Sequence, residues 1–155
     1  TWLASDLPQW VTTHFRVRTD RASWALQGYS YGGWCAALLS MRHPAVFGAA
    51  MVLMGYFRPE FNRGAMLLTS AQAQAYNLTT MATHHPPPVS MWVMASKADP
   101  YAYPATARFL KAVRSPMAVT ASILPAGGHN VSTIEPVLPD MLRWLAATAK
   151  GFRPA

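Results

Sequence analysis

A serine between two glycines stands where a predicted strand gives way to a predicted helix. Residues 28–32 read Gly-Tyr-Ser-Tyr-Gly, and they follow the run WALQ and precede the run WCAALL. Gly28 and Gly32 let the backbone turn tightly without Cβ clashes, which would lift the Ser30 hydroxyl above the end of a sheet. Such a hydroxyl can attack a carbonyl carbon when a base takes its proton and N–H groups stabilise the oxyanion. The backbone N–H of Tyr31 is the predicted oxyanion donor.

A serine nucleophile in this setting needs an acid and then a histidine later in the chain. The chain has only six Asp and Glu residues, and just two of them, Glu60 and Asp99, lie between Ser30 and the last histidine. Asp99 directly follows a predicted strand, at the edge of a parallel sheet where catalytic groups collect. We therefore favour Asp99 as the acid and keep Glu60 as the alternative.

The chain has five histidines, and the order of the motif excludes His14, which precedes the serine. His43 ends the helix that begins after the nucleophile, so it should point away from the site. His84 and His85 adjoin three prolines and are predicted to be exposed. His129 follows the last predicted strand in LPAGGHN, where two glycines let a loop return over the sheet edge. His129 is the predicted base.

Predicted strands alternate with predicted helices along the whole chain. The strands are expected at 23–28, 48–56, 89–96 and 118–126, and the helices at 7–15, 33–41, 70–81, 104–113 and 136–150. The last helix is expected to end with Gly151 as its C-cap. Apolar strands joined by helical crossovers are typical of a parallel sheet covered by helices on both faces. The predicted fold class is therefore α/β with about four strands.

Residues 57–87 form a long connection between the second and third predicted strands. The connection leaves the sheet at its active edge and carries Phe61, Met66, Leu67 and Leu68. Long excursions of this kind often act as lids, so we expect it to cap the site. The alternative is a surface helix that packs on the sheet.

Composition excludes several classes of protein. The 155 residues are 52% hydrophobic and 12% charged, which is typical of a globular domain and not of a disordered chain. The net charge of +7 comes from scattered Arg and Lys without interleaved aromatic residues, so we expect a solvated basic surface and no nucleic-acid partner. Attraction to an anionic envelope or to acidic lipids is the alternative. Cys35 is the only cysteine and is expected to be buried.

No cofactor or metal is expected, because the sequence has no Cys and His cluster with ligand spacing and no phosphate loop.

Four segments together resemble the α/β-hydrolase superfamily. They are GYSYGGW, RHPAVFGAAMVLMGY, ASKADPYAYPATARFLKAV and LPAGGHN, and the likeness runs from about residue 15 to 147. Within the superfamily they resemble the putative esterase family, which includes mycolyltransferases and esterase D-like enzymes. The resemblance implies Ser30 as nucleophile, Asp99 as acid, His129 as base and the Tyr31 N–H as an oxyanion donor. Tyr31 itself departs from the family, which more often has Met or Leu there.

The resemblance also bears on the extent of the domain. Enzymes of this superfamily have about eight strands, and a loop after an early strand supplies the second oxyanion donor. Only one predicted strand precedes Ser30 here. We therefore expect residues 1–155 to form a single domain that is the C-terminal half of a longer protein.

Three functions follow from these patterns. The first is a serine esterase that acts on a small-molecule, lipid or sugar ester through an acyl-serine intermediate. The second is a mycolyltransferase-like acyltransferase with the same three residues, in which a sugar or lipid alcohol replaces water. The third is a non-catalytic member that binds the envelope. The resemblance favours a secreted or envelope-anchored location, while the oligomeric state is left open.

Overall fold

The computed structural model describes residues 2–59 and 70–152, and within them four strands form one parallel sheet. The strands are β1 (Ala25–Tyr29), β2 (Ala49–Leu53), β3 (Ser90–Ser96) and β4 (Ala118–Leu124). They lie side by side in the order β1-β2-β3-β4, with every neighbouring pair parallel. This arrangement confirms the predicted fold class. It also brings the ends of all four strands to one edge of the sheet.

Helices connect the strands and cover the sheet. They are α1 (Asp6–His14), α2 (Tyr31–Arg42), α3 (Ser70–Ala75), α4 (Leu78–His84), α5 (Ala102–Ala112), α6 (Val131–Ile134) and α7 (Leu138–Thr148). Short 3₁₀ turns lie at Trp2–Ala4, Arg21–Ser23, Glu135–Val137 and Lys150–Phe152.

The core has two layers, one on each face of the sheet. Ala50 and Val52 of β2 point to one face, where they join buried residues of α2, α4 and α5. Met51 and Leu53 point to the opposite face, where they join buried residues of α6 and α7. All five residues of β2 are buried, because helices cover this central strand on both sides. The sheet is therefore a rigid platform for the loops at its edge.

Two predicted helices differ from the structure at their ends. The helix expected at 70–81 is two helices, because the Asn77 side chain accepts hydrogen bonds from the N–H groups of Thr79 and Thr80 and starts α4. The helix expected at 136–150 is preceded by α6, and α7 ends with Ala149 in extended conformation as its C-cap. The prediction of Gly151 as the C-cap is wrong. Gly151 instead lies so close to Ser23 that a Cβ would overlap that residue.

The connection between β2 and β3 is described only in part. Glu60, Phe61, Met66, Leu67 and Leu68 lie outside the described residues. In α4, Leu78 and Ala82 are buried in the core with Phe57 and Phe109. The described part of this connection thus packs on the sheet through α4, and the expectation that the connection caps the site stays a prediction.

An apolar groove of about 380 Å³ runs along β1, between α1 and α2. Leu7, Leu26 and Cys35 are among its lining residues, and Cys35 is exposed. The prediction of a buried Cys35 is wrong, because its side of α2 turns toward this groove and not toward the core.

None of the helices in the described part of the chain is long and apolar enough to cross a membrane.

Candidate active site

Ser30 occupies a strained turn between β1 and α2. Its backbone has φ 57° and ψ −119°, a left-handed conformation that costs a non-glycine residue about 1–3 kcal/mol. Its N–H donates to the carbonyl of Leu53 at 2.9 Å, and its own carbonyl accepts from the N–H of Trp34 at 3.1 Å. These bonds to β2 and to α2 hold the strained turn. Strain that the surrounding fold maintains in this way is a frequent feature of functional sites.

Two glycines around the turn, Gly28 and Gly33, lie where the backbone leaves little or no room for a Cβ. A Cβ on Gly28 would overlap the carbonyl of Gly32, so only glycine fits at position 28. A Cβ on Gly32 would meet no atom within 4 Å, so position 32 has no such requirement. Gly33 is the second crowded position, because a Cβ there would lie 3.0 Å from the Cα of Gly55. The sequence pattern identified Gly28 correctly as a tight position but did not single out Gly33.

Asp99 lies just beyond β3 and is fully buried. Its Oδ1 accepts hydrogen bonds from the N–H groups of Tyr101 at 2.9 Å and Ala102 at 3.0 Å. Its Oδ2 lies 2.6 Å from Nδ1 of His129. Both carboxylate oxygens are therefore held, and the start of α5 fixes the carboxylate from below.

The pKa of Asp99 reflects two opposing effects. Burial disfavours the charged carboxylate, but the hydrogen bonds from His129 and from the N–H groups of Ala102 and Tyr101 outweigh it. The net result is a pKa below the ordinary value of 3.8. Asp99 is therefore a carboxylate at neutral pH.

A short loop carries His129 from the end of β4 back over the sheet edge. Gly127 has φ 106°, which a residue with a side chain would rarely adopt. The Ser96 hydroxyl donates to the Gly127 carbonyl at 3.1 Å, and the Gly128 N–H donates to the Thr133 hydroxyl at 3.1 Å. The loop is thus tied to the end of β3 on one side and to α6 on the other.

The structure brings the three predicted side chains into one hydrogen-bonded line. Nε2 of His129 lies 2.8 Å from Oγ of Ser30, and its Nδ1 faces Asp99. Because the Asp99 carboxylate can only accept, Nδ1 carries the proton and Nε2 is left to accept from the Ser30 hydroxyl. A serine hydroxyl bonded to an imidazole that a buried carboxylate orients is an arrangement suited to nucleophilic attack.

Tyr31 is the first residue of α2, directly after Ser30. Its backbone N–H therefore stands at the positive end of the helix dipole, beside the serine. Two further tyrosines reach the site without having been predicted. The ring centroids of Tyr29 and Tyr56 lie 5.1 Å and 6.1 Å from that of His129. Sequence spacing could have indicated Tyr29, because it precedes the nucleophile, but Tyr56 lies in the loop that follows β2.

The other candidate residues lie away from this line. His43 is at the C-cap of α2, at the opposite end of the helix from Ser30. His84 and His85 are exposed around the end of α4. Glu60, the alternative acid, lies outside the described residues. Within the described residues, no three His, Cys, Asp or Glu side chains gather as a metal site would require.

Three solved structures share this fold over most of the chain. An S-formylglutathione hydrolase from Agrobacterium tumefaciens matches 96% of the chain with a TM-score of 0.77 and 19% identity. A ferulic acid esterase matches 98% with a TM-score of 0.76 and 17% identity. The fluorophosphonate-binding serine hydrolase F of Staphylococcus aureus matches 90% with a TM-score of 0.68 and 16% identity. The chain spans 56%, 61% and 60% of the lengths of these proteins, respectively.

Sequence comparison gives the family. An uncharacterized protein of Corynebacterium glutamicum is 36% identical over 59 residues, which are 38% of this chain and 14% of that protein. Residues 1–137 match the family described as "Putative esterase". This match covers most of the chain, including Ser30, Asp99 and His129. The chain therefore belongs to the putative esterase family and has the fold of the α/β-hydrolases.

Proposed function

We propose that the protein is a serine esterase that hydrolyses carboxylic esters through an acyl-Ser30 intermediate. The observation that carries the proposal is the continuous line of hydrogen bonds from Ser30 to His129 at 2.8 Å and from His129 to Asp99 at 2.6 Å. Membership of the esterase family supports the same reaction class. The substrate class proposed is a small-molecule, lipid or sugar ester, with no cofactor.

The first half of the proposed reaction forms the acyl-enzyme. Oγ of Ser30 attacks the ester carbonyl carbon while Nε2 of His129 takes the hydroxyl proton. The carbonyl oxygen becomes an oxyanion that accepts from the N–H of Tyr31. His129 then gives its proton to the leaving alcohol as the carbon–oxygen bond breaks. Asp99 holds the imidazole in the required tautomer and stabilises its cationic form.

The second half releases the acid. Water replaces the alcohol, gives a proton to His129 and attacks the acyl carbon. The proton then returns to Oγ as the bond between Ser30 and the acyl carbon breaks. An alcohol acceptor would follow the same steps and give acyl transfer, so the acyltransferase alternative differs only in the acceptor that reaches the acyl-enzyme.

Labelling with a fluorophosphonate tests the proposal directly. An activated serine attacks phosphorus as it attacks a carbonyl carbon, so we expect one covalent adduct at Ser30, located by peptide mass spectrometry. Ser30→Ala should abolish labelling. Ser115→Ala is the matched control, because Ser115 is an exposed serine remote from the site, and it should label normally. Persistent labelling of Ser30→Ala would place the nucleophile elsewhere.

Turnover of p-nitrophenyl esters tests the reaction itself. The purified protein should release p-nitrophenol from short esters, and Ser30→Ala should not. Adding a sugar as acceptor distinguishes the two functions. An acylated sugar as the main product would favour the acyltransferase, and free acid as the main product would favour the esterase. Labelling of Ser30 without turnover of any ester or acceptor would contradict both enzymatic functions.

A further inference from the structure

Two tyrosine rings lie beside His129, in addition to its hydrogen bonds with Ser30 and Asp99. The ring of Tyr29 has its centroid 5.1 Å from that of the imidazole, with an angle of 32° between the planes. The ring of Tyr56 lies 6.1 Å away at 27°, in a stacked arrangement. The Tyr56 ring is therefore stacked beside the imidazole and the Tyr29 ring is tilted against it. The hydrogen bonds among Ser30, His129 and Asp99 do not explain why either ring lies there.

The sheet holds both tyrosines, independently of the loop that carries His129. Tyr29 is the last residue of β1 and pairs in register with Leu53 at the end of β2. Tyr56 follows β2, directly after Gly55. Gly55 packs closely against α2, because a Cβ on Gly33 would lie only 3.0 Å from the Cα of Gly55. The rings are thus presented from the first two strands, whereas His129 arrives from the fourth.

Tyr56 is held on a second side as well. Its ring centroid lies 5.3 Å from that of Tyr31, at the start of α2. The phenol of Tyr29 has a raised pKa, because it is desolvated by burial and faces Asp99 and Tyr56. Tyr29 therefore stays neutral well into the alkaline range, and its ring keeps the electron distribution of a neutral phenol.

The reaction proposed above makes the imidazole cationic when Ser30 gives up its proton. The face of an aromatic ring attracts a cation whose centre lies within about 6 Å, by about 0.5–2 kcal/mol. A neutral imidazole gains much less from the same rings. An interaction that strengthens as the charge forms lowers the barrier, because it acts in the transition state more than in the ground state.

We propose that Tyr29 and Tyr56 are positioning residues that hold the imidazole of His129 between Ser30 and Asp99 and stabilise its cationic form. This inference rests on the proposed esterase function. It assigns the effect to the aromatic rings and not to the phenol hydroxyls. It therefore predicts that phenylalanine can replace either tyrosine and that leucine cannot.

Four variants test the proposal, with p-nitrophenyl acetate as substrate. Tyr29→Leu and Tyr56→Leu should each lower kcat by about 2- to 30-fold while KM changes less than about twofold. Tyr29→Phe and Tyr56→Phe should keep kcat within about twofold of the wild type. Trp10→Leu is the matched control, because Trp10 stacks on His14 with centroids 4.6 Å apart on the exposed helix α1. It should leave kcat unchanged.

The pH profile separates positioning from a merely structural role. Among the described residues, the titratable groups in contact with the imidazole are Asp99, Tyr29 and Tyr56. Removing a ring destabilises the imidazolium, so the acidic limb of kcat/KM should move to lower pH by about half a unit or more in the leucine variants. The phenylalanine variants should keep the wild-type limb.

The outcomes distinguish this inference from the function on which it rests. Fluorophosphonate should still label Ser30 in every variant, more slowly in the leucine pair. Loss of kcat in the phenylalanine variants would overturn the inference and assign the effect to the phenol hydroxyls. A rise in KM with kcat unchanged in the leucine variants would overturn it and assign the rings to substrate binding. Should Tyr29→Leu fail to fold, Tyr56→Leu, at a half-buried position, decides alone. Labelling that persists in Ser30→Ala would instead remove the proposed function.

Discussion

Nε2 of His129 lies 2.8 Å from Oγ of Ser30, although 99 positions separate the two residues in the chain. Ser30 follows β1 and His129 follows β4, with two strands between them. Parallel strands lie about 4.8 Å apart, so the loop after β4 must reach back over about 14 Å of sheet edge. The hydrogen bond therefore depends on every element that steers this loop, as well as on the two residues it joins.

His129→Ala should lower kcat for p-nitrophenyl ester hydrolysis by about 10⁴- to 10⁶-fold, because it removes the base that takes the proton from Ser30. His84→Ala is the matched control, since His84 is an exposed histidine on α4, and it should leave kcat within about twofold. Comparable losses in both variants would remove the assignment of His129 as the base.

Asp99→Asn should lower kcat by about 10⁴-fold while the fold survives. The amide can donate to Nδ1 of His129, which would place the proton on Nε2 and prevent it from accepting from Ser30. Steady-state kinetics and circular dichroism measure the two parts of this expectation. Glu60→Gln is the comparison for the alternative acid. If Glu60→Gln is inactive and Asp99→Asn is active, the acid belongs to the connection after β2.

The lowered pKa of Asp99 predicts how stability depends on pH. A carboxyl with a lower pKa in the folded than in the unfolded state stabilises the fold fully above the unfolded value, near 3.8, and loses this contribution as pH falls through the folded value. The difference in Tm between the wild type and Asp99→Asn should therefore move in favour of the variant below about pH 4.

Thermal unfolding at pH 7, 5, 4 and 3 measures this effect. Asp140→Asn is the control, because Asp140 pairs with Arg143 on the exposed side of α7, where ion pairs contribute little. A Tm difference between wild type and Asp99→Asn that stays constant from pH 7 to pH 3 would show that the hydrogen bonds to Asp99 do not favour its charged form.

The two glycines of the serine motif should respond differently to alanine. Gly28→Ala places a Cβ on the carbonyl of Gly32, against backbone that cannot move away, so it should destabilise the fold by about 3 kcal/mol or more. Gly32→Ala meets no atom within 4 Å, and alanine favours the helix it enters by up to about 1 kcal/mol. Chemical denaturation of both variants checks this contrast, and equal destabilisation would contradict it.

Local sequence signals predicted the backbone of the site well. The change from an apolar strand to an apolar helix around Ser30 located the turn, and the glycines before His129 located the returning loop. Asp99 followed from the scarcity of acids and its place after a strand. Each of these signals lies within a few residues of the group it predicts.

Features that depend on contact between distant segments could not be read from the sequence. Tyr56 meets His129 only because β2 lies between β1 and β3, and Gly151 is constrained by Ser23 at the other end of the chain. Asn77 is different, because asparagine is a strong N-cap residue. Its position before Leu78 could have indicated the break between α3 and α4.

Ser96 anchors the short loop that carries His129. It is fully buried at the end of β3, and its hydroxyl donates to the Gly127 carbonyl at 3.1 Å and accepts from the Ala98 N–H at 3.2 Å. Ser96→Ala leaves two backbone groups without this partner, which should cost about 1–3 kcal/mol of stability. It should also lower kcat by about 10-fold, because a small shift of the loop misaligns His129 with Ser30.

Ser40→Ala provides the matched control for Ser96→Ala. Ser40 is equally buried, and its hydroxyl donates to the Ala37 carbonyl within α2, away from the loop that carries His129. We expect Ser40→Ala to reduce stability without changing kcat at temperatures where the protein stays folded. Denaturation curves and kcat for both variants make the comparison. A loss of stability in Ser96→Ala with kcat equal to that of Ser40→Ala would show that the bond to Gly127 supports the fold but does not position His129.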